Sequence, residues 1–168
     1  MTTPTVAAHG KHTTHGTPHG CTSLTPHIVV TSATRALAFY ETVFGAKVRD
    51  VTRAGDLVAH AVLAFPSGQL TLSDALEAYE LAAPSATGPV SYSLALYVPN
   101  VDEVVARAVE AGATLREPPA NFVSGDRFAS LRDPFGVRWS VMTRVEDLSF
   151  EESATRVAAW AKDAMASK

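Results

Sequence analysis

The sequence predicts an α+β fold. It reads as two fused β-α-β-β-β modules, each a curled antiparallel sheet with a helix outside it, together enclosing a central cleft, with an extra C-terminal helix. Three observations predict it. The order strand, helix and three strands occurs twice, and Val30 aligns with Val98 at an offset of 68 residues while Gly45 aligns with Gly112 at 67; repetition of this kind is architectural. Each predicted helix has an apolar stripe at helical spacing and an end signal. Finally, Asp133-Pro134-Phe135-Gly136 makes a tight turn, after which Val137, Trp139 and Val141 alternate with Arg138, Ser140 and Met142. That alternation is a strand with one core face and one face bearing a cation, a hydroxyl and a thioether.

Taken in order, residues 1–22 are rich in Thr, Gly, Pro and His and are expected to be a flexible tail. His9, His12, His15 and His19 recur every three or four residues, a tract that binds divalent ions loosely or only opportunistically. The first module covers residues 23–75. A strand runs from Leu24 to Val30, and Ser32 is placed to cap a helix over Ala33–Phe44 with Leu37, Tyr40 and Phe44 inward and Gly45 at its end. Strands follow at Lys47–Thr52, Leu57–Phe65 and, after the Pro66-Ser67-Gly68 turn, Gln69–Ser73.

Residues 75–89 read as a linker. The second module, residues 90–145, begins with a strand at Val90–Val98. Asn100 and Glu103 make a capping box for a helix with Val101, Val104, Val105 and Ala108 inward, ended by Gly112. Strands at Thr114–Glu117, Arg127–Arg132 and Val137–Met142 complete it. Residues 146–168 form an amphipathic helix with its own capping box, Ser149 and Glu152. Its apolar face of Phe150, Ala154, Val157, Ala158, Ala161 and Met165 needs cover from its own domain or from another subunit.

Composition narrows the function classes. The chain has 168 residues, 46% of them hydrophobic, and a net charge of −3. No basic footprint for nucleic acid and no polybasic membrane patch is present. No apolar run approaches the roughly 20 residues that cross a bilayer, and residues 1–20 lack a signal-peptide core, so the expectation is a soluble cytoplasmic protein. Cys21 is the single cysteine and excludes an intrachain disulfide.

The pattern resembles the vicinal oxygen chelate superfamily of glyoxalase I, extradiol dioxygenases, fosfomycin resistance enzymes and bleomycin resistance proteins, and within it the PhnB-like branch. The residues that carry the likeness are Leu24-Thr25-Pro26-His27-Ile28-Val29-Val30, Ala36-Leu37-Ala38-Phe39-Tyr40, His60-Ala61-Val62-Leu63, Leu72-Ser73-Asp74, Gly125-Asp126-Arg127-Phe128 and Asp133-Pro134-Phe135-Gly136. They span residues 23–145. The resemblance implies a homodimer and, for the enzymes, a metal held by His or Glu on the first and last strands of each module. By spacing, those positions fall on Thr25, Thr71, Ser93 and Ser140. Neutral hydroxyls are poor ligands for a divalent ion, which favours imidazole, thiolate or carboxylate.

Other residues share the expected cleft face. His27 lies two residues after Thr25, and His60 on the third strand is placed to face the same way; the two imidazoles could hold a metal at a shifted site, act as acid or base, or line the wall. Arg138 suits a carboxylate, phosphate or phosphonate, or pairs with a neighbouring acid such as Asp126 or Asp133. Tyr97 could stack on a flat ligand. Two functions follow as expectations. The first is a metal-free, cofactor-free binding protein similar to the bleomycin resistance proteins, sequestering an antibiotic or a planar or anionic metabolite against Thr25, His27, Thr71, Ser93, Tyr97, Arg138 and Ser140. The alternative is a glyoxalase-like lyase, isomerase or thiol transferase using a displaced metal or an acid-base histidine, His27 or His60.

Overall fold

A computed structural model describes residues 6–166. Residues 1–5 and 167–168, the ends of the expected tail and of the expected C-terminal helix, lie outside the described residues. The order of elements is β1 (Thr13–Thr14), β2 (Thr17–Pro18), β3 (His27–Val30), α1 (Ala33–Phe44), β4 (Lys47–Ala54), β5 (Leu57–Ala64), β6 (Gln69–Asp74), a 3₁₀ turn at Glu77–Tyr79, β7 (Leu94–Tyr97), α2 (Val101–Glu110), β8 (Thr114–Asn121), β9 (Asp126–Arg132), β10 (Arg138–Arg144) and α3 (Phe150–Ala166). The chain divides into two compact units, residues 1–83 and 84–168.

Each unit repeats one topology. In the first, the strand order is β3-β6-β5-β4; in the second it is β7-β10-β9-β8. Three strands of each sheet form the expected antiparallel meander, and the first strand joins the last in parallel, so the sheets are mixed. The parallel pair follows from the helical crossover after the first strand, which returns the chain in the same direction. Within the stretch expected as a tail, β1 and β2 pair as a two-stranded ribbon of exposed and half-exposed residues.

The helices begin and end largely as their residues dictate. Gly45 closes α1 at φ +68°, a left-handed conformation that costs glycine nothing. At α2, the Asn100 side chain accepts from the Glu103 N–H and donates to the Glu103 carboxylate. Ser149 and Glu152 form the reciprocal box before α3. Ser32 occupies the N-cap position of α1, but its hydroxyl makes no capping bond. That work falls to the last strand of the unit: Asp74 Oδ1 accepts from the Ala33 N–H at 2.8 Å. The second unit has the same device, with Thr143 Oγ1 accepting from the Val101 N–H at 2.8 Å. In both units the last strand therefore fixes where the helix starts.

Strand limits moved for local reasons. Leu24 is 82% exposed, and pairing starts only at His27, after a proline that has no N–H to give. Strand β7 spans Leu94–Tyr97 rather than Val90–Val98; before it, the Ser93 hydroxyl instead of a backbone N–H reaches the Arg138 carbonyl. Strand β8 continues through Pro118 and Pro119 because it is an edge strand, where a missing N–H is tolerated.

Helix α1 packs on the first sheet and α2 on the second. Most of the buried apolar strand residues lie on the face toward the helix: Ile28, Val30, Val58, Leu63 and Leu72 in one unit, and Ala129, Leu131, Val137, Trp139 and Val141 in the other. Helix α3 has no fully buried residue. It leans on its own unit through Trp160, edge-on to Phe122 at 5.0 Å, and through Ser153, which donates to the Ser124 carbonyl. Phe150 and Met165, placed on the apolar face by periodicity, are 92% and 81% exposed.

Asp74 is buried and also accepts from the Val58 N–H at 2.8 Å, so one carboxylate satisfies two backbone donors. Each buried donor left unpaired costs about 1–3 kcal/mol. Asp74→Ala is expected to lower unfolding stability by about 2–5 kcal/mol, read from urea titration; a loss under about 1 kcal/mol would contradict this role.

Candidate functional site

In each unit the sheet face turned away from the helix carries the polar side chains. On the first, His27 and Thr71 are direct neighbours across the β3–β6 pair. His27 Nδ1 lies 3.0 Å from Thr71 Oγ1, and Nε2 lies 3.3 Å from the oxygen of Ser73, a serine with no solvent exposure. The His60 ring stacks parallel to His27 at 6.1 Å between centroids, with 2° between the planes. Burial holds the His27 imidazole below its ordinary pKa, and the adjacent His60 pushes it further down. A neutral imidazole has one donor and one acceptor. One of the two hydroxyls must therefore give its proton to the ring and the other must accept. Each hydroxyl has one proton and also lies within reach of a carbonyl, Thr71 of Pro26 and Ser73 of Asp74, so the one that donates to the ring gives up its carbonyl bond and only the other is held from the far side.

Thr25 lies just before β3, half-buried, and its hydroxyl is 3.2 Å from that of Thr22. The structure thus joins His27, His60 and Thr71 in one cluster and leaves the Thr25 hydroxyl bonded within its own loop.

On the second sheet, Ser93 and Ser140 meet at 3.1 Å between their oxygens. Tyr97 follows on the same face of β7, opposite Met142, and is 55% exposed. Arg138 stands two residues before Ser140. Its Nε donates to Ser130, another serine without exposure, at 3.2 Å, and its Nη2 pairs with Glu117 at 3.0 Å. The acids that sequence proximity offered as partners are used elsewhere. Asp126 pairs with Arg144 at 3.0 Å, and Asp133 accepts from the Trp139 indole and two backbone N–H groups.

A metal fits this donor set poorly. The four positions implied by the superfamily resemblance carry hydroxyls that already bond to Thr22, His27 or one another. Both nitrogens of His27 are committed to hydroxyls, and among the described residues no group of three or more His, Cys, Asp and Glu side chains is placed to hold an ion. The faces offer hydroxyl pairs, a held imidazole, a guanidinium on a buried serine and an exposed phenol.

Sequence reasoning missed Ser73, Ser130 and Glu117, which orient His27 and Arg138. Ser73 was detectable, since it shares parity with Thr71. Ser130 and Glu117 depend on cross-strand register, which a single strand does not display.

The comparisons with known proteins agree with this architecture. The family model described as Glyoxalase/Bleomycin resistance protein/Dioxygenase superfamily matches residues 12–141. An uncharacterized protein of Mycobacterium bovis is 30% identical over 77% of this chain and 88% of its own length. Among solved structures, TioX from Micromonospora sp. ML1 is 24% identical with a TM-score of 0.59, covering 73% of this chain and 98% of that one. A glyoxalase/bleomycin resistance protein/dioxygenase family enzyme from Burkholderia phytofirmans is 26% identical with a TM-score of 0.59, covering 71% and 96%.

The depressed His27 pKa has a signed consequence. The unfolded chain protonates this ring near pH 6.5, while the fold resists the proton. The unfolded state therefore binds more protons as pH falls, and stability from this group is lost from about pH 6.5 downward until the folded pKa is passed. Replacing His27 by Gln is expected to flatten the fall in urea midpoint between neutral and mildly acidic buffer. An unchanged pH slope would show that His27 is not the group responsible.

Proposed function

For a chain that belongs to the glyoxalase/bleomycin resistance protein/dioxygenase superfamily, we propose a metal-free small-molecule binding protein of the bleomycin-resistance type. It sequesters an antibiotic or a planar or anionic metabolite. The observation that carries this reading is the residue set at the four implied metal positions. Thr25, Thr71, Ser93 and Ser140 are hydroxyls, and Ser93 and Ser140 bond to each other at 3.1 Å. They are hydrogen-bonding groups suited to orienting a ligand, not to holding a Lewis acid.

Arg138 anchors the anionic part of the ligand in this proposal. Its guanidinium is held by Ser130, so little rotamer freedom is lost on binding. Tyr97 stacks on the planar part, and His27 and Thr71 offer a second polar patch on the first sheet. A homodimer, a PhnB-like lineage and a cytoplasmic setting belong to the same proposal; among the described residues no helix is long and apolar enough to cross a membrane.

One observation favours a second reading. The neutral His27 imidazole beside His60 is a base suited to proton abstraction near neutral pH, as a metal-independent lyase or isomerase would need.

The test is a thermal-shift screen of antibiotics and planar carboxylates with excess chelator present. Stabilising compounds are expected to bind equally well with and without chelator. Arg138→Ala is expected to cost about 2 kcal/mol of their binding with an unchanged fold. Binding that vanishes with chelator and returns with a divalent ion would overturn the proposal, and turnover of a bound compound abolished by His27→Gln would favour the second reading.

A further inference from the structure

The second sheet gathers more positive charge at one pocket than the carboxylate paired there offsets. Arg132 on β9 and Arg138 on β10 are direct register partners, two like-charged residues opposite each other on the face away from α2. Like charges directly opposite each other in a sheet are destabilising. A third guanidinium joins them. Leu115 and Glu117 of β8 face the adjacent residues Leu131 and Ser130, so Arg116 is the extra residue of a bulge. Bulges re-aim side chains and cluster near functional sites. Arg116, Arg132 and Arg138 line one pocket of about 240 Å³, whose remaining wall is residues 87–90.

The partners of the three arginines do not neutralise them. Arg138 has one carboxylate, Glu117 at 3.0 Å, and the neutral Ser130 hydroxyl. Among the described residues Arg132 donates to two backbone carbonyls, Gly136 at 3.1 Å and Ser85 at 2.9 Å, and pairs with no carboxylate. Those bonds aim the guanidinium without cancelling its charge. Arg116 has no hydrogen-bond or ion-pair partner among the described residues. The chain just before that wall packs closely on the turn between β9 and β10. The Pro84–Ser85 backbone crosses the turn so closely that a Cβ at Gly136 would lie 2.9 Å from the Ser85 carbonyl oxygen, at φ +89°. Only glycine lets the strap sit there.

Three guanidiniums against one carboxylate leave two positive charges uncompensated. A single carboxylate ligand needs only one guanidinium fork. A phosphoryl group near neutral pH carries about −1.5 to −2 charges and three acceptor oxygens, and matches this surplus. The volume sits below the roughly 300–1,000 Å³ of pockets that take a whole drug-sized ligand. It suits a small anion or the anionic end of a longer molecule.

We infer that the Arg116–Arg132–Arg138 pocket binds a phosphoryl dianion, as inorganic phosphate or as the phosphate end of a small metabolite. The inference rests on the reading above in taking this face of the second sheet as the ligand face, and it names the chemical class held there.

The experiment is calorimetric titration of the full chain with inorganic phosphate, phenyl phosphate and acetate at constant ionic strength and with chelator present. One phosphate per chain is expected, with acetate much weaker. The Arg116→Gln variant removes a side chain with no hydrogen-bond or ion-pair partner among the described residues, so its unfolding midpoint should match the parent while its phosphate affinity falls at least tenfold. Tighter binding of phenyl phosphate than of phosphate would support the organic source, and equal binding the free anion. Absence of phosphate binding, equal binding of acetate, or affinity untouched by Arg116→Gln would each overturn the inference. Stabilisation by planar ligands in chelator, with no phosphate bound, would sink this inference and leave the proposed function standing. Phosphate binding that needs an added divalent ion, and is still lost in Arg116→Gln, would support the pocket while contradicting the metal-free reading.

Discussion

The buried carboxylate of Asp133 sets the geometry on which the second sheet depends. One oxygen accepts from the Phe135 and Val137 N–H groups, and the other accepts from the Trp139 indole at 2.9 Å. The first pair closes the turn between β9 and β10, and the indole bond ties that turn to the core. Register between the two strands follows, because a slip of one residue would send Trp139 to the wrong face. Once register is fixed, Arg132 must stand opposite Arg138 and Ser130 opposite Ser140. The pairing of Arg132 with Arg138 is thus a consequence of one satisfied buried acid.

The two units solve one folding problem with different chemistry. In both, a residue of the last strand caps the helix that follows the first strand, Asp74 in one and Thr143 in the other. In both, a fully buried serine beneath the polar face holds a larger side chain, Ser73 under His27 and Ser130 under Arg138. The repeated architecture carries different exposed groups, an imidazole pair on one sheet and a guanidinium cluster on the other. Within a superfamily fold that hosts many chemistries, such side-chain differences carry the function.

Much of this was legible in the sequence because the signals are local. The Ala33–Phe44 helix with its terminal glycine, the capping boxes at Asn100 and Ser149, and the alternation through Val137–Met142 all report interactions between residues close in the chain. The parallel joining of first and last strands, the loss of the Ser32 cap to Asp74, and the pairing of Arg138 with Glu117 report interactions across roughly 20 to 45 residues, which no local pattern encodes. The arginine cluster is the clearest case. Arg116, Arg132 and Arg138 look unrelated along the chain, and only a bulge and a register bring them to one pocket.

The central claim is that the hydroxyls at the four superfamily metal positions leave this chain to bind ligands without a metal. Metal content tests it most directly, measured by mass spectrometry on full-length protein whose His9, His12, His15 and His19 are replaced by Ala, so that the tail cannot contribute. The account predicts far less than one transition metal per chain after purification without chelator. About one tightly held metal per chain, lost on replacement of His27 and His60, would contradict it.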